Sequence, residues 1–136
     1  MTKIRLIRPK DVKVNLKYEP PLVPGEGISS EVIGMPIKMT MAHVVVPPGG
    51  RNQRHYHVQT DAGMHILKGR LKMFLGPDPE MEEVIAEAGD FVFVPRGEIH
   101  GLINLSNTES AELVATYNSV GTTQEAQTMF IEPVWK

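Results

Sequence analysis

The chain alternates short apolar runs with turn-forming residues along its whole length. Only residues 119–128 resemble a short helical turn. Many short strands at this spacing are typical of an all-β sandwich or barrel. The pattern predicts strands at 4–7, 12–16, 28–34, 37–46, 54–58, 62–67, 70–75, 82–87, 91–94, 99–104, 111–118 and 129–135.

Glycine and proline mark the turns between these runs. The segment 18–27 contains three prolines and two glycines, which predict a loop because proline cannot donate a hydrogen bond to a sheet. The dipeptide Lys68-Gly69 separates two runs so closely that we expect a hairpin there. No linker and no long repeat interrupts the pattern. We therefore expect one domain over residues 1–136.

The composition excludes several classes of protein. The 136 residues are 41% apolar and 22% charged, which is ordinary for a globular domain. A formal charge of −2 without runs of like charge argues against a nucleic-acid partner. The absence of cysteine excludes disulfides and thiol nucleophiles. Because no segment resembles a secretory signal or a membrane span, we expect a cytoplasmic protein without a membrane partner.

Three histidines form the candidate chemistry. His55 and His57 are two residues apart on a predicted strand, so their side chains project from the same face. His100 lies on another strand-like segment after a Pro-x-Gly turn. Three neutral imidazoles favour zinc, iron, nickel, copper or manganese over magnesium or calcium, which prefer oxygen ligands. The spacing indicates one metal site, although separate surface or core histidines would have the same spacing.

The segment around His100 has the spacing of a known motif. Gly89, Pro95, Gly97, His100 and Asn104 match G-x5-P-x-G-x2-H-x3-N, the second motif of the cupin family, at every position. The chain therefore resembles cupins between residues 49 and 104. The resemblance implies an antiparallel jelly-roll barrel, also called a double-stranded β-helix. It also implies one divalent transition metal ion (Fe, Zn, Ni or Mn) held by His55, His57 and His100.

The first cupin motif is matched except at its acidic position. Gly49, His55, His57 and Gly69 fit the motif, but Ala62 stands where the family has glutamate. Alanine has no donor atom, so the fourth metal ligand is open. It could be Asp61 turned inward, Gln59, His65 through a bulge, or water and substrate on a three-histidine site, which we favour.

Other residues around the motifs have competing interpretations. In germin-like and oxalate-converting cupins, a polar residue at the place of Asn52 faces the substrate, which makes Asn52 a candidate catalytic residue. Asp61 is the second candidate, as a base for Lewis-acid chemistry. Asn52 would equally serve a turn. His43 and the outward-facing His65 suit packing or a dimer face better than metal binding. The remaining candidates are Arg51 and Arg54 for an anionic substrate, and Met64, Met73, Leu102, 37–46 and 91–94 for an apolar pocket wall.

The resemblance leaves the reaction open. A three-histidine site supports an enzyme that activates dioxygen, like the cupin dioxygenases, or one that polarises a carbonyl as a Lewis acid, like the cupin polyketide cyclases. Its substrate would be an apolar or aromatic molecule with a carbonyl group. The alternatives are a small-ligand sensor or a structural metal site without turnover. A homodimer that uses residues 1–34 is the expected assembly, since a small jelly roll exposes edge strands.

Overall fold

Two antiparallel sheets face each other and enclose the core. The computed structural model describes residues 3–131. Besides the strands, it contains a short 3-10 turn at Pro9–Asp11 and the helix α1 at Ser30–Ile33. The strands are β1 Lys13–Val14, β2 Val23–Ile28, β3 Met39–Val46, β4 His55–His57, β5 Ala62–Lys68, β6 Arg70–Leu75, β7 Glu82–Glu87, β8 Phe91–Val94, β9 His100–Asn104, β10 Ala111–Asn118 and β11 Thr128–Phe130.

The strand order places distant parts of the sequence side by side. One sheet has the order β1-β2-β3-β10-β5-β8, and the other has the order β11-β4-β9-β6-β7. On β3, buried residues alternate with residues that are more exposed, so every second side chain enters the space between the sheets. The largest fully buried side chains include Ile66, Leu71, Met73 and Leu113. The predicted all-β antiparallel jelly roll is confirmed.

The predicted hairpin at Lys68-Gly69 is wrong. The β5 strand pairs with β10 and β8, whereas β6 pairs with β7 and β9, so the connection carries the chain from one sheet to the other. Gly69 has a φ of 88°, and a Cβ added there would lie 2.9 Å from the Cβ of Ala111. The glycine of the first motif therefore provides a sharp turn and a close approach of two backbones.

Within the predicted edge strand 28–34, residues 29–34 form a capped helical turn and only Ile28 belongs to a strand, as the last residue of β2. The hydroxyl of Ser29 accepts a hydrogen bond from the Val32 amide at 3.2 Å and caps the first turn of α1. Gly34 ends the turn in the left-handed conformation with a φ of 86°. A serine cap and a glycine stop outweigh the strand preference of Val32 and Ile33 between them.

The predicted loop 18–27 is also wrong in its second half, which forms β2. Pro24 and Gly25 pair with Val44 and His43 of β3. A side chain on Gly25 would meet Val12 at 3.0 Å, so the glycine lets the N-terminal segment lie close to the strand. The run 12–16 forms a strand only at β1, and residues 4–7 form none.

The C-terminal strand begins one residue before its predicted start and ends at Phe130. The β11 strand covers Thr128–Phe130 and pairs with the histidine strand β4. The rest of the predicted strand, beyond residue 131, lies outside the described residues. Between residues 3 and 131, no helix is long and apolar enough to cross a membrane.

Replacing Gly69 by alanine tests how the chain turns between the sheets. Gly69→Ala should lower the free energy of unfolding by about 2–5 kcal/mol, because a left-handed backbone costs about 1–2 kcal/mol and overpacking about 1–3 kcal/mol. Gly89 is the matched control, since it has a φ of 96° and no atom within 4 Å of an added Cβ. Urea unfolding should show the larger loss for Gly69→Ala. Equal losses would contradict the packing contribution.

Candidate metal centre

Adjacent strands of the five-stranded sheet hold the three histidines. His55 and His57 point inward from β4 with the less buried Tyr56 between them, and His100 of β9 is the register partner of His55. All three imidazoles are buried, and their candidate ligand atoms lie within 4.8 Å of one another. The amide of Gly97 donates to the carbonyl of His57 at 2.8 Å and ties the turn before His100 to β4.

Hydrogen bonds at Nδ1 orient the rings. Nδ1 of His55 lies 2.7 Å from the Gln53 carbonyl, and Nδ1 of His100 lies 3.0 Å from the Glu98 carbonyl. Because a carbonyl oxygen only accepts, both Nδ1 atoms must carry the hydrogen. Nε2 is thereby left for the centre of the cluster. Such bonds fix the tautomer and the orientation of metal-binding histidines.

His57 belongs to a network of hydroxyl groups. Its Nδ1 lies 2.9 Å from the Thr128 hydroxyl and its Nε2 lies 3.2 Å from the Tyr117 hydroxyl. The consistent assignment has Tyr117 donating to Nε2 and Nδ1 donating to Thr128. The hydroxyl of Tyr18 in turn contacts those of Tyr117 and Thr128. Burial raises the pKa of both tyrosines, so both remain hydrogen-bond donors at neutral pH.

The electrostatics of the cluster suit a cation. Burial, together with the neighbouring His55 and His100, lowers the pKa of His57 to about 3. Burial and His55 lower the pKa of His100 to about 4. Both imidazoles are therefore neutral at pH 7 and offer a lone pair. Together with His55 they provide three imidazole nitrogens, a set that fits a first-row transition metal and leaves room for further ligands.

An unpredicted carboxylate lies beside the histidines. Oε1 of Glu19, in the loop before β2, is 2.6 Å from Nε2 of His55. Burial raises the pKa of Glu19, but the opposing effect of His55, His57 and His100 is larger and lowers it to about 2. For His55, burial lowers the pKa, but the charge and hydrogen bond of Glu19 outweigh burial and raise it. The site thus combines three imidazoles with one ionised carboxylate.

No local signal in the sequence marks Glu19. It precedes two prolines in a segment that reads as a surface loop, and it has no motif spacing to the histidines. Tyr18 and Tyr117, also missed as a pair, meet only because the N-terminal loop covers one end of β10. The alanine at position 62 is the one sequence feature that indicates a carboxylate from another segment of the chain.

The other candidates for the fourth position lie outside the cluster. Asp61 accepts hydrogen bonds from the Arg96 amide and the Asn118 side chain, both at 2.9 Å, at the surface. Strand parity explains this placement, because Ala62 and Met64 face the interior. Gln59 bonds to the exposed Gln127. The structure therefore does not bring Asp61 or Gln59 into contact with the histidine cluster.

The two remaining histidines face away from the site. His65 stacks on Phe91 with ring centroids 4.1 Å apart, on the outer face of the six-stranded sheet. His43 pairs with Glu112 at 2.8 Å and is partly exposed. No bulge turns the side chain of either histidine toward the interior. The structure therefore does not bring His65 to the cluster either.

Asn52 lines the site and holds Glu19. Its Oδ1 accepts from the Leu102 amide at 2.9 Å, and its Nδ2 donates to Oε1 of Glu19 at 3.2 Å. By contrast, the guanidinium of Arg54 is buried against Asp78 at 3.1 Å and the Gly76 carbonyl at 3.2 Å. These contacts give Arg54 a structural role. The backbone of Arg51 forms an isolated antiparallel β-bridge with Ile103 of β9.

The histidines border a cavity between the sheets. Met64 and Leu102 line it as predicted, together with alternate residues of β3, whereas Phe91 and Phe93 point outward and are 78% and 70% exposed. Met73 belongs to the core rather than to the cavity wall. Apolar side chains cover most of the wall, and they are Leu22, Pro24, Ala42, Val44, Ala62, Met64, Leu102, Leu113 and Ala115. Such a cavity suits a small molecule of mainly apolar character.

Comparison with known proteins places this geometry in a family. The chain is 31% identical over 81 residues to the uncharacterized protein MJ1618 of Methanocaldococcus jannaschii, covering 60% of this chain and 62% of that protein. It is 29% identical over 82 residues to germin-like protein 3-8 of Oryza sativa subsp. japonica, covering 60% and 36%. Both alignments span less than two thirds of the relative.

Structure comparison extends the likeness to most of the fold. The polyketide cyclase RemF from Streptomyces resistomycificus aligns with 96% of this chain and 87% of its own, with a TM-score of 0.71 and 19% identity. At that identity the likeness concerns the fold alone. In a comparison with protein families, the family model described as the cupin domain matches residues 42–117, which contain both motifs and all three histidines. The chain therefore belongs to the cupin family.

Proposed function

We propose that this chain is a metal-dependent enzyme that acts on a small, mainly apolar molecule with a carbonyl group. His55, His57 and His100 are the metal ligands in this proposal. The observation that carries it is the convergence of three oriented imidazoles on the wall of an apolar cavity. A purely structural metal site would have no use for such a cavity, because structural sites are closed by protein ligands.

The residues around the cavity have distinct roles in this proposal. Ala42, Ala62 and Ala115 make room for the apolar body of the substrate. The hydroxyl of Tyr117 lies next to Nε2 of His57, and once a metal occupies that nitrogen the hydroxyl would be free to donate a hydrogen bond to the substrate carbonyl oxygen. The hydroxyl of Tyr18, which also contacts Thr128, holds the Tyr117 hydroxyl in place. The bound metal supplies a positive charge that polarises the same carbonyl.

Among the reactions that fit a three-histidine site, we favour Lewis-acid chemistry of the cyclase or isomerase kind. The protonated tyrosine hydroxyls support this choice, since they stabilise negative charge on a carbonyl oxygen. The likeness in fold to a polyketide cyclase is in keeping with it. Oxygen activation at an iron ion is the second candidate. A non-catalytic ligand-binding module is the alternative from another class.

Removing one imidazole tests the metal site. Wild-type protein should bind about one Zn²⁺ per chain, and His57→Ala should bind it at least 100-fold more weakly, because one of three nitrogen ligands is lost. The matched control is His43→Ala, which removes a histidine from the outer face. Zn²⁺ affinity is measured by competition with a chromophoric chelator. Equal affinity for wild type and His57→Ala would contradict the ligand assignment.

A substrate screen tests the reaction class. Zinc- or nickel-loaded protein should convert a member of a panel of diketones, catechols and aromatic polyketides without consuming dioxygen. Tyr117→Phe should lower kcat about 100-fold, the usual effect of losing a donor to a developing oxyanion. Tyr56→Phe is the control, since Tyr56 points away from the cavity. Dioxygen consumption by iron-loaded protein would favour the second candidate, and binding without turnover would favour the binding module.

We also propose a homodimer that uses the N-terminal segment. Ile4, Leu6, Val14 and Leu16 are each more than half exposed in the single chain. Covering these apolar side chains would stabilise an assembly. Light scattering after gel filtration should give twice the chain mass of 15.1 kDa, and Leu6→Lys should shift the protein toward a single chain. A wild-type monomer would contradict this proposal.

A further inference from the structure

A carboxylate is missing from the first motif and present in the site. Position 62 holds an alanine that lines the cavity, and Glu19 reaches the same cavity from the N-terminal loop. We propose that Glu19 is the fourth protein ligand of the metal, replacing the glutamate that the first motif lacks at position 62. The inference rests on the proposed metal site and goes beyond it by assigning a ligand from outside both motifs.

The distance between Glu19 and His55 supports ligation. Oε1 of Glu19 is 2.6 Å from Nε2 of His55. Metal–nitrogen and metal–oxygen bonds of about 2.1 Å at right angles place two ligand atoms about 3 Å apart. Nδ1 of His55 is already committed to the Gln53 carbonyl at 2.7 Å, so Nε2 is the atom left for a metal. A metal in place of the hydrogen on Nε2 therefore faces the Glu19 carboxylate.

The surrounding residues hold the carboxylate in this position. Nδ2 of Asn52 donates to Oε1 of Glu19 at 3.2 Å, and Oδ1 of Asn52 is itself fixed by the Leu102 amide. The Leu22 amide donates to the Glu19 carbonyl at 3.0 Å and closes the loop. Glu19 has a φ of 55°, in a region that non-glycine residues seldom adopt. Such a backbone persists where neighbouring contacts require it, which is common at ligand sites.

A second buried acid in the cavity provides a control. Glu26 also lines the cavity and is buried, but its carboxylate bonds to Asn15 at 3.4 Å. Within residues 3–131, Glu26 forms no hydrogen bond or ion pair with an imidazole. The two glutamates share charge and burial, and they differ in their relation to the histidines. A loss of metal affinity confined to Glu19 variants would therefore reflect ligation rather than the charge of the cavity.

The first experiment compares Zn²⁺ affinities of wild type, Glu19→Gln and Glu26→Gln by chelator competition. Glu19→Gln should bind Zn²⁺ about 10–100-fold more weakly, whereas Glu26→Gln should match wild type. Co²⁺ loading gives an independent readout, since loss of an oxygen ligand should change the visible d–d absorption of Glu19→Gln only. Unchanged affinity and an unchanged Co²⁺ spectrum in Glu19→Gln would overturn the assignment.

The second experiment moves the carboxylate to the position of the family motif. The double variant Glu19→Gln/Ala62→Glu should recover Zn²⁺ affinity to within several-fold of wild type, because residue 62 lines the same cavity. A double variant with native circular dichroism that binds no better than Glu19→Gln would overturn the exchange of one carboxylate for the other. These experiments distinguish failure of the Glu19 ligand from failure of the proposed metal site. Wild-type protein without Zn²⁺ binding refutes the metal site, whereas wild-type binding with an unaffected Glu19→Gln refutes only the Glu19 ligand.

Discussion

The hydrogen bonds between the Nδ1 atoms and their oxygen partners are the constraint on which the site depends. Three buried imidazoles side by side are unfavourable as cations, and the low pKa values of His57 and His100 express that cost. Nδ1–H groups bonded to Gln53, Glu98 and Thr128 turn the remaining lone pairs toward one point. His57 and His100 are thereby neutral, and a cation that displaces the Nε2 hydrogen of His55 would offset the burial of all three rings.

The fold serves this arrangement by joining two sheets around it. The histidines stand on β4 and β9 of one sheet, while Ala62, Met64 and Tyr117 face them from β5 and β10 of the other. The N-terminal loop closes the space with Tyr18, Glu19 and Leu22. Both sheets and the N-terminal loop therefore form the site. A change in any of these elements would alter the geometry of the candidate metal site.

The sequence was informative where the pattern is local. His55 and His57 share a face because they are two apart on a strand, and the second motif locates His100 by its spacing. The inward direction of Met64 and the outward direction of His65 follow from strand parity once Ala62 is placed inside.

The sequence was uninformative where the partner is distant. A glycine turn permits a hairpin or a passage between sheets, and only the pairing of β5 with β10 shows which one Gly69 makes. Capping by Ser29 outweighed the strand preference of residues 28–34. Glu19 was missed because its relation to His55 exists only in the folded chain, where Asn52 and the loop hold it.

The most direct test of the central claim is a crystal structure of the Zn²⁺-loaded protein with anomalous data collected at the zinc absorption edge. One strong peak should lie about 2.0–2.1 Å from Nε2 of each of His55, His57 and His100. A peak elsewhere, or no peak among the three imidazoles under saturating Zn²⁺, would contradict that claim.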